Sequence, residues 1–425
     1  MKNFVFASVV LLSVFCLLIG AGFAQQQITL KFWKFAAPVD DPIIEKYINL
    51  WNELHPDVKV EFVTLPWSDY VGLALPAAFA SGDAPDVFWL SPGDLLRYVN
   101  EGMLAPLNEH VTETDLADLV PAARQRPTIE GVLYGLPVEM EPVAIYYNVD
   151  LFEEAGLRPP RTFDELLNTG EKLKTEDRYA LIIEPVPSYY QLFVWYPFLW
   201  GAGADVVSPD WKKATMNTEG AIAALKIWGD LIKKGLSPST LTAGGSGNIV
   251  HLLNKFAAMQ LVGMWAISDL KLNPPDFKID IFPVPTLNEN LSPVSVFGGW
   301  NFVVNSKSPH QKEAIEFSRW FVFESDFLKE FCVDRESKLP SRVSLVEASK
   351  EKFAGNPLAR KFIETILPIA RPEPRYPTDI AKALMDALSF VMFADLPAEE
   401  AARLANFQIQ NFLDNYKGRI GAYTD

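Results

Sequence analysis

Strand and helix patterns alternate through residues 28–90, and this order limits the folds that the chain can adopt. Alternating apolar and polar residues are typical of strands, whereas apolar residues spaced three and four positions apart are typical of helices. We predict strands over 28–33, 58–62 and 86–90, and helices over 41–54 and 68–80. Strands that alternate with helices form parallel sheets with right-handed crossovers. The chain is therefore predicted to be an α/β protein.

Three tryptophans follow the carboxyl ends of these predicted strands, namely Trp33, Trp67 and Trp89, and Lys34 lies beside the first. Ligands of parallel α/β sheets bind outside the carboxyl ends of the strands. Each tryptophan alone is also compatible with core packing, because its ring buries a large area. Their occurrence at three equivalent strand ends favours a binding pocket at this edge of the sheet.

Later segments repeat the same two patterns. We predict helices over 162–174, 218–234 and 309–323, a strand over 296–304, and a mainly helical region from 355 onward. Thr162 and Thr218 are good N-caps, because a threonine hydroxyl accepts a hydrogen bond from the free N–H groups of the first helical turn. The chain is long enough for two domains, each with its own core.

Residues 1–24 have the pattern of a secretory signal peptide. A basic residue precedes an apolar run over 4–19, and small residues lead to a predicted cleavage site after Ala24. An uncleaved anchor helix is one alternative, because the run is almost long enough to span a bilayer, and Cys16 leaves a lipoprotein leader open. We predict a secreted protein that works in the periplasm or elsewhere outside the cytoplasm.

The formal net charge of −15 restricts the partners. A strongly acidic protein repels polyanions, so we predict no nucleic-acid partner. The four histidines are not spaced as metal ligands, and no phosphate-binding glycine motif is present. The segment 244–247 (GGSG) lacks the spacing of a serine nucleophile turn and is interpreted as a flexible loop. We therefore predict no cofactor and no enzymatic activity.

An ordered series of short motifs runs through the chain beyond the leader. They are ASGDAPDV at 80–87, NEGMLAPL at 100–107, GVLYGLP at 131–137, IYYNVDLF at 145–152, PPRTFDEL at 159–166, FAAM at 256–259, GMW at 263–265, FGGWN at 297–301 and KLPSR at 338–342. In this order they resemble the family 1 extracellular solute-binding proteins, which include the maltose- and oligosaccharide-binding proteins of ABC importers. The ordered series carries the resemblance, since no single motif would suffice.

The resemblance implies the two-lobed, type II periplasmic binding protein fold. Each lobe is then a mainly parallel sheet flanked by helices, with the ligand cleft between the lobes. We expect an N-terminal lobe of 25–138 plus 270–325 and a C-terminal lobe of 142–266 plus 335–425. Hinge segments are expected near 138–142, 266–272 and 325–340.

The resemblance also implies a function, the capture of a carbohydrate, expected to be an oligosaccharide. Hinge closure would hold the carbohydrate, and the closed protein would deliver it to the permease subunits of an ABC transporter. Aromatic rings cover the apolar faces of sugars, whereas carboxylates and amides bind the hydroxyl groups. The 11 tryptophans and 13 tyrosines suit such a ligand, although aromatic residues also fill ordinary cores. We expect a monomer.

The resemblance places individual residues in the ligand site. It assigns Trp89 to the rim of the first lobe, Glu141 to a ligand-contacting hinge glutamate and Trp265 to a stacking ring. The complete set of predicted ligand-binding residues is Trp33, Lys34, Trp67, Trp89, Glu141, Tyr190, Trp195, Trp265, Trp300, Arg375 and Tyr376. Each ring has core packing as its alternative, and Glu141 has pairing with a hinge cation.

Other functions stay open at this point. The same fold could bind a polyamine, which suits the acidic balance and the aromatic content. It could also bind glycerol-3-phosphate, for which Lys34 and Arg375 are the candidate cations. A secreted glycosidase would need two carboxylates that flank the sugar. Glu139 and Glu141 are the candidates, but they are too close together in the sequence to flank a sugar easily.

Overall fold

The computed structural model describes residues 27–241 and 245–423 of the chain. The predicted signal peptide and its cleavage site lie outside the described residues. Within them, no helix is long and apolar enough to cross a membrane. Two main β-sheets organise the fold, and we call the part of the chain packed around each sheet a lobe.

The strands are β1 (Ile28–Phe35), β2 (Val58–Leu65), β3 (Val87–Leu90), β4 (Thr128–Ile129), β5 (Val132–Leu133), β6 (Leu136–Pro137), β7 (Glu139–Asn148), β8 (Tyr179–Ile182), β9 (Ala257–Gly263), β10 (Ile279–Phe282), β11 (Ser295–Gly298), β12 (Asn301–Val304), β13 (Leu339–Pro340) and β14 (Ala370–Pro372).

The α-helices are α1 (Asp41–Leu54), α2 (Trp67–Asp69), α3 (Leu75–Ser81), α4 (Pro92–Asn100), α5 (Glu113–Asp118), α6 (Pro121–Gln125), α7 (Val149–Glu154), α8 (Phe163–Leu173), α9 (Tyr189–Gly201), α10 (Glu219–Lys233), α11 (Val250–Leu253), α12 (Ala266–Leu272), α13 (Gln311–Arg319), α14 (Val343–Gly355), α15 (Pro357–Lys361), α16 (Thr378–Phe393) and α17 (Ala398–Asn415). Four π-helical turns (Tyr70–Ala74, Trp320–Glu324, Lys329–Asp334 and Phe362–Ile366) and two 3₁₀ turns (Asn108–His110 and Leu367–Ile369) join them.

The first sheet has the strand order β2-β1-β3-β12-β6. Strand β1 pairs in parallel with β2 and β3, so the predicted strand–helix alternation is confirmed. Strand β12 comes from much later in the chain and pairs antiparallel with both β3 and β6. The first lobe is therefore discontinuous in sequence, as the resemblance implied.

The second sheet has the strand order β14-β11-β7-β9-β8, and β10 and β13 also pair with β7. All ten residues of β7 are buried, because strands or helices cover both of its faces. Strand β8 pairs in parallel with β9, whereas β7 runs antiparallel to β9, β10, β11 and β13. The β7 strand is thus the centre of the second lobe, and its four antiparallel neighbours make this sheet mainly antiparallel rather than mainly parallel as expected.

The chain crosses between the sheets over very few residues. Val138 alone separates β6 of the first sheet from β7 of the second, and Gly299 and Trp300 alone separate β11 from β12. The single strand predicted over 296–304 is therefore wrong. Apolar residues lie on both sides of Gly299, but Gly299 has φ +124° and turns the chain from one sheet into the other.

The boundaries of the two lobes stay a prediction. The strand pairing places part of the expected N-terminal lobe in the second sheet. Strands β10 and β11 lie beside β7 in the second sheet, although the expected N-terminal lobe included 270–325. The crossing expected at 266–272 is occupied by α12, and the chain changes sheets at Gly299 and Trp300 instead. The segment expected at 325–340 contains β13, which pairs with the start of β7.

Local signals account for the helix boundaries. Thr162 and Thr218 accept hydrogen bonds from the backbone N–H groups of Glu165 and Ala221, as their N-cap positions predict. The helix predicted over 68–80 is interrupted by a π-helical turn, and α3 then starts with Pro76 in its first turn. A proline in this position lacks the N–H that a continuous helix would need.

The segment after α17 returns to the first lobe. The Tyr416 hydroxyl accepts a hydrogen bond from the Asn100 side chain at 2.7 Å, and Arg419 donates to the Tyr134 hydroxyl at 2.7 Å. Buried Arg375 donates to the carbonyl oxygens of Gly421 and Ala422 at 3.1 and 2.8 Å. These contacts tie residues 416–423 to both lobes.

Replacement of Gly299 by alanine should lower the free energy of unfolding by about 3 kcal/mol or more. A Cβ atom at this position would lie 2.0 Å from the Glu139 carbonyl oxygen, and the positive φ angle adds backbone strain. Urea denaturation followed by circular dichroism measures the loss. Gly102→Ala is the matched control, because Gly102 has φ +67° but no atom within 4 Å of its Cβ position. Equal losses in the two variants would contradict the close approach at the crossing.

Candidate functional site

Five aromatic rings meet where the two lobes face each other, and we call them the aromatic cluster. Phe35, Trp67 and Trp300 belong to the first lobe and its crossing, whereas Tyr190 and Trp265 belong to the second. The ring centroids of Trp67 and Trp300 are 5.4 Å apart, those of Trp67 and Tyr190 are 6.4 Å apart, and those of Tyr190 and Trp265 are 6.4 Å apart. All five rings are only half-buried. The cluster is therefore a continuous aromatic surface contributed by both lobes.

The strand ends of the first sheet position the first-lobe rings. Phe35 is the last residue of β1, and its ring lies 4.9 Å from the Trp67 ring and 4.5 Å from the Trp300 ring. Trp67 opens α2 directly after Pro66, which fixes the backbone as it leaves β2. The Trp300 backbone N–H donates to Glu139 Oε1 at 2.8 Å, so this ring is tied to the start of β7.

The second-lobe rings are positioned by a helix start and by a strand end. Tyr190 lies in the first turn of α9, which Ser188 caps by accepting a hydrogen bond from the Gln191 N–H. Trp265 follows β9, and its ring folds back over Gly263, where a Cβ atom would lie 1.7 Å from the ring. The Trp265 Nε1–H donates to the Gly247 carbonyl oxygen at 2.7 Å.

Two acidic side chains and a lysine lie at the crossing beneath these rings. Glu139 and Glu141 are two positions apart in β7, so their side chains share one face of the strand. Lys338 Nζ lies 2.8 Å from Glu141 Oε1 and 3.3 Å from Asp40 Oδ2. Burial alone would lower the pKa of Lys338, but Asp40, Glu141 and Glu139 raise it above its ordinary value. The lysine is therefore held charged between the lobes.

Glu139 is the less compensated of the two carboxyl groups. Burial, followed by the neighbouring Glu141, raises the pKa of Glu139 to about 8. Its Oε1 accepts from the Trp300 N–H, whereas its Oε2 is buried and has no hydrogen-bond partner among the described residues. A buried polar atom without a partner is costly. Glu139 is thus a candidate to bind a polar group of a solute.

A third buried carboxyl group connects the lobes beside α4. Glu373 follows β14, and its pKa is raised to about 8 by burial first and by Asp94 second. A hydrogen bond from the Gly93 N–H opposes this rise. A Cβ atom at Gly93 would lie 2.4 Å from Glu373 Oε1, so a glycine is required for the contact. The carboxyl group of one lobe therefore rests on the first turn of a helix in the other.

The structure brings seven of the eleven predicted site residues to the aromatic cluster or directly beneath it. One of them is Lys34, whose Nζ lies 4.4 Å from the Phe35 ring and 5.2 Å from the Trp89 ring. Trp67, Tyr190, Trp265 and Trp300 form the cluster itself. Trp89 is almost fully buried and stacks under Trp300, with ring centroids 6.3 Å apart. Glu141 lies beneath the rings, but its alternative role is also realised, because it pairs with Lys338. Their contact with a solute stays a prediction.

Trp33 is a predicted site residue that does not belong to the aromatic cluster. It is half-buried at the end of β1, and its ring packs against the core between the first sheet and α4. The Trp33 Nε1 atom is buried and has no hydrogen-bond partner in the described part of the chain. Its contact with a solute also stays a prediction.

Four predicted site residues, including Lys34, have structural roles within the protein. Trp195 is fully buried in the core of the second lobe, where its Nε1–H donates to the Ala224 carbonyl oxygen at 3.0 Å. Tyr376 is buried in the same core, and its hydroxyl donates to Asp205 at 3.3 Å. Lys34 is fully buried and pairs with Asp41 at 2.6 Å, although burial lowers its pKa.

Arg375 is the fourth of these corrections. Its guanidinium group donates to the carbonyl oxygens of Arg126 and Thr128 at 2.9 and 2.6 Å, and to those of residues 421 and 422. The side chain is 1% exposed, so it is not a rim cation. Its hydrogen bonds with the backbone replace the proposed contact with an anionic solute.

The sequence reasoning missed Phe35, Glu139, Lys338 and Glu373 as residues around the site. Phe35 and Glu139 had local signals, because each lies two positions from a predicted site residue on the same face of a strand. Lys338 and Glu373 had none, since their partners lie 197 and about 280 residues away in sequence. In the described part of the chain, no three His, Cys, Asp or Glu side chains are grouped as metal ligands.

Comparisons with known proteins agree with this architecture. A family model described as bacterial extracellular solute-binding protein matches residues 36–325. A binding protein of Brucella abortus is 23% identical over 340 residues, covering 79% of this chain and 80% of its own. A maltotriose-binding protein of Pyrococcus abyssi is 24% identical over 307 residues, covering 71% of this chain and 64% of its own.

Solved structures agree as well. An ABC transporter solute-binding protein from Thermotoga lettingae, bound with α-D-tagatose, superimposes with a TM-score of 0.80 at 24% identity. The match covers 91% of this chain and 100% of that protein. The predicted two-lobed, type II fold is thereby confirmed.

The buried Glu373 carboxyl group should make stability depend on pH. The folded protein keeps a proton on Glu373 up to about pH 8, whereas the unfolded chain releases it above its usual pKa of 4.5. The free energy of unfolding should therefore fall as the pH rises from 4.5 towards 8. The Glu373→Gln variant has no ionisable carboxyl group at this position, so its free energy of unfolding should fall less over the same pH range.

Urea denaturation at several pH values across this window measures the difference. Glu113→Gln is the control, because Glu113 is an exposed carboxylate at the start of α5. Identical pH profiles for wild-type protein and Glu373→Gln would show that Glu373 is ionised in the folded state.

Proposed function

Because the chain belongs to the bacterial extracellular solute-binding protein family, we propose that it captures a carbohydrate outside the cytoplasm for an ABC transporter. The observation that carries the proposal is the aromatic cluster, which offers rings from both lobes to one solute. Sugar rings have apolar faces of C–H groups that stack on aromatic side chains. Trp67 and Tyr190 are in contact across the lobes, so the lobes must separate before a carbohydrate can lie between Trp67 and Trp300 on one side and Tyr190 and Trp265 on the other.

The polar groups near the cluster suit hydroxyl groups better than charges. Glu139 has one oxygen without a hydrogen-bond partner in the described chain, and it can accept from or donate to a hydroxyl group according to its protonation. Lys34 and Arg375, the candidate cations for glycerol-3-phosphate, are both engaged within the protein. Neither candidate cation is therefore free to bind a phosphate group, which disfavours a phosphorylated solute.

A glycosidase has little support from the geometry. The two carboxyl groups of such an enzyme flank the sugar, whereas Glu139 and Glu141 project from the same face of one strand. The relatives in the comparisons are binding proteins rather than enzymes. We propose that the protein is a monomeric receptor without cofactor or nucleic-acid partner.

Rotation about the crossings would open and close the cleft around the solute. The closed form would then present surfaces of both lobes to the permease subunits of the transporter. A receptor that scavenges dilute solutes needs a Kd of about 1 μM or lower, which corresponds to about −8 kcal/mol. The acidic balance of the chain and its aromatic content keep a polyamine as the solute to test against a carbohydrate.

The tryptophans provide the direct test of the ligand class. Intrinsic fluorescence of the protein without residues 1–24 is titrated with mono- and oligosaccharides, spermidine and glycerol-3-phosphate. A saturable change with one class of sugar and no product formation is expected. A response to spermidine alone would assign a polyamine receptor, and consumption of the sugar would show an enzyme.

Trp265→Ala should weaken carbohydrate binding by about 2–4 kcal/mol, because truncation of a central aromatic anchor removes stacking area that nothing replaces. Isothermal titration calorimetry with the sugar identified above measures the loss. Trp211→Ala is the matched control, since this half-buried ring of the second lobe packs against Tyr376 rather than against the aromatic cluster. Unchanged affinity in Trp265→Ala, or an equal loss in both variants, would place the site elsewhere.

A further inference from the structure

We propose that Glu184 and Gln260 are positioning residues that orient the Trp265 ring through the loop 245–248. The inference rests on the proposed function, because it explains how the second-lobe surface of the same site is held in place. Neither residue is predicted to touch the solute. Each acts on the backbone of a loop that in turn holds the indole ring.

The Trp265 ring is held at two points. Its Nε1–H donates to the Gly247 carbonyl oxygen at 2.7 Å, and its six-membered ring lies on the backbone of Gly263. Gly263 is the last residue of β9 and therefore a rigid support. The orientation of the ring about that support depends on where the loop presents the Gly247 carbonyl group.

Glu184 fixes the loop from the β8 side. Its Oε2 accepts hydrogen bonds from the Ser246 backbone N–H at 2.9 Å and from the Ser246 hydroxyl at 3.0 Å. Its Oε1 accepts from the Val186 N–H at 3.0 Å. Gly245 has φ +57°, and a Cβ atom there would lie 2.6 Å from Glu184 Oε2. The carboxylate therefore holds the loop through two hydrogen bonds from Ser246, is itself held by Val186, and lies close against Gly245.

Gln260 fixes the loop from the β9 side. Its Nε2 donates to the carbonyl oxygens of Ser246, at 3.2 Å, and of Asn248. Its Oε1 accepts from the Leu252 N–H at 3.0 Å. The side chain is fully buried, and it belongs to the same strand that ends just before Trp265. The loop and the ring thus share one support, and several hydrogen bonds hold the loop 245–248.

Glu184 is also connected to the helix that carries Tyr190, the second aromatic ring of this lobe. The Gln191 Nε2 atom donates to the Glu184 carbonyl oxygen at 3.2 Å, and Gln191 is the neighbour of Tyr190 in α9. Glu184 therefore anchors the loop that holds Trp265 with its side chain and the helix that carries Tyr190 with its backbone.

The test combines Glu184→Gln with Trp265→Phe, which keeps an aromatic ring but lacks the Nε1–H group. Glu184→Gln should raise the Kd for the bound sugar by about tenfold in the wild-type background. In the Trp265→Phe background the tether is already cut, so Glu184→Gln should change the Kd less than twofold. Ser246→Ala removes only the hydroxyl contact and should have an intermediate effect.

A spectroscopic measurement on the ligand-free protein separates this inference from the proposed function. The near-ultraviolet circular dichroism of Trp265 is obtained by subtracting the spectrum of Trp265→Phe from that of the wild type. Glu184→Gln and Ser246→Ala should both reduce this difference signal while the far-ultraviolet spectrum stays the same. If no sugar binds but the signal is reduced, the proposed function fails and the positioning role stands.

Glu171→Gln is the matched control, because Glu171 is an exposed carboxylate of the same lobe that pairs with Lys234. It should leave the Kd and the Trp265 signal unchanged. The inference is overturned if Glu184→Gln and Ser246→Ala leave the Trp265 signal unchanged. It is also overturned if Glu184→Gln raises the Kd by the same factor in both backgrounds. Should Glu184→Gln fail to fold, Ser246→Ala alone decides between these outcomes.

Discussion

The two short crossings between the sheets determine the arrangement of the whole site. Val138 donates its N–H to the Trp300 carbonyl oxygen at 2.9 Å, so the crossings run side by side and are joined by their own backbones. Buried Arg126 clamps both from the first lobe, since it donates to the carbonyl oxygens of Gly298 and Glu139. A crossing of one or two residues leaves little freedom, and the rings and carboxyl groups attached to it are therefore held close together.

The charges around the crossings are largely compensated inside the protein. Lys338 lies between Glu141 and Asp40, Arg335 reaches Asp40 at 2.8 Å, and Lys34 pairs with Asp41. Burying a charge is costly unless a partner compensates it. Because the cations are occupied in this way, the surface left for a solute consists of aromatic faces and a few polar atoms. Such a surface favours a neutral solute with both apolar faces and hydroxyl groups.

Much of the first lobe could be predicted from the sequence, because its signals are local. The alternation of β1, β2 and β3 with helices is visible within residues 28–90, and the rings at their carboxyl ends follow from the same pattern. The break at Gly299 and Trp300 was missed, because apolar residues lie on both sides of it. The residue pattern of 296–304 does not indicate that the two halves of this segment belong to different sheets.

The second lobe was harder to predict, since the roles of its residues depend on partners that are distant in sequence. The helix α9 is apolar on all sides, so nothing in its pattern distinguishes Tyr190, which faces the cleft, from Trp195, which faces the core. Arg375 lies in a proline-rich run that looks like an exposed loop. Its carbonyl partners lie up to 250 residues earlier and 47 residues later in sequence, and only the folded chain brings them together.

The grip of Arg375 on both lobes has a mechanical consequence. Its guanidinium group holds carbonyl oxygens of residues 125–128 in the first lobe and of residues 421 and 422, while its own backbone belongs to the second. When one rigid body turns against another, only the points on the axis keep their distances. A turn that leaves these short contacts and the two crossings intact must have its axis close to all of them. A pivot between the lobes is therefore expected near Val138, Gly299 and Arg375.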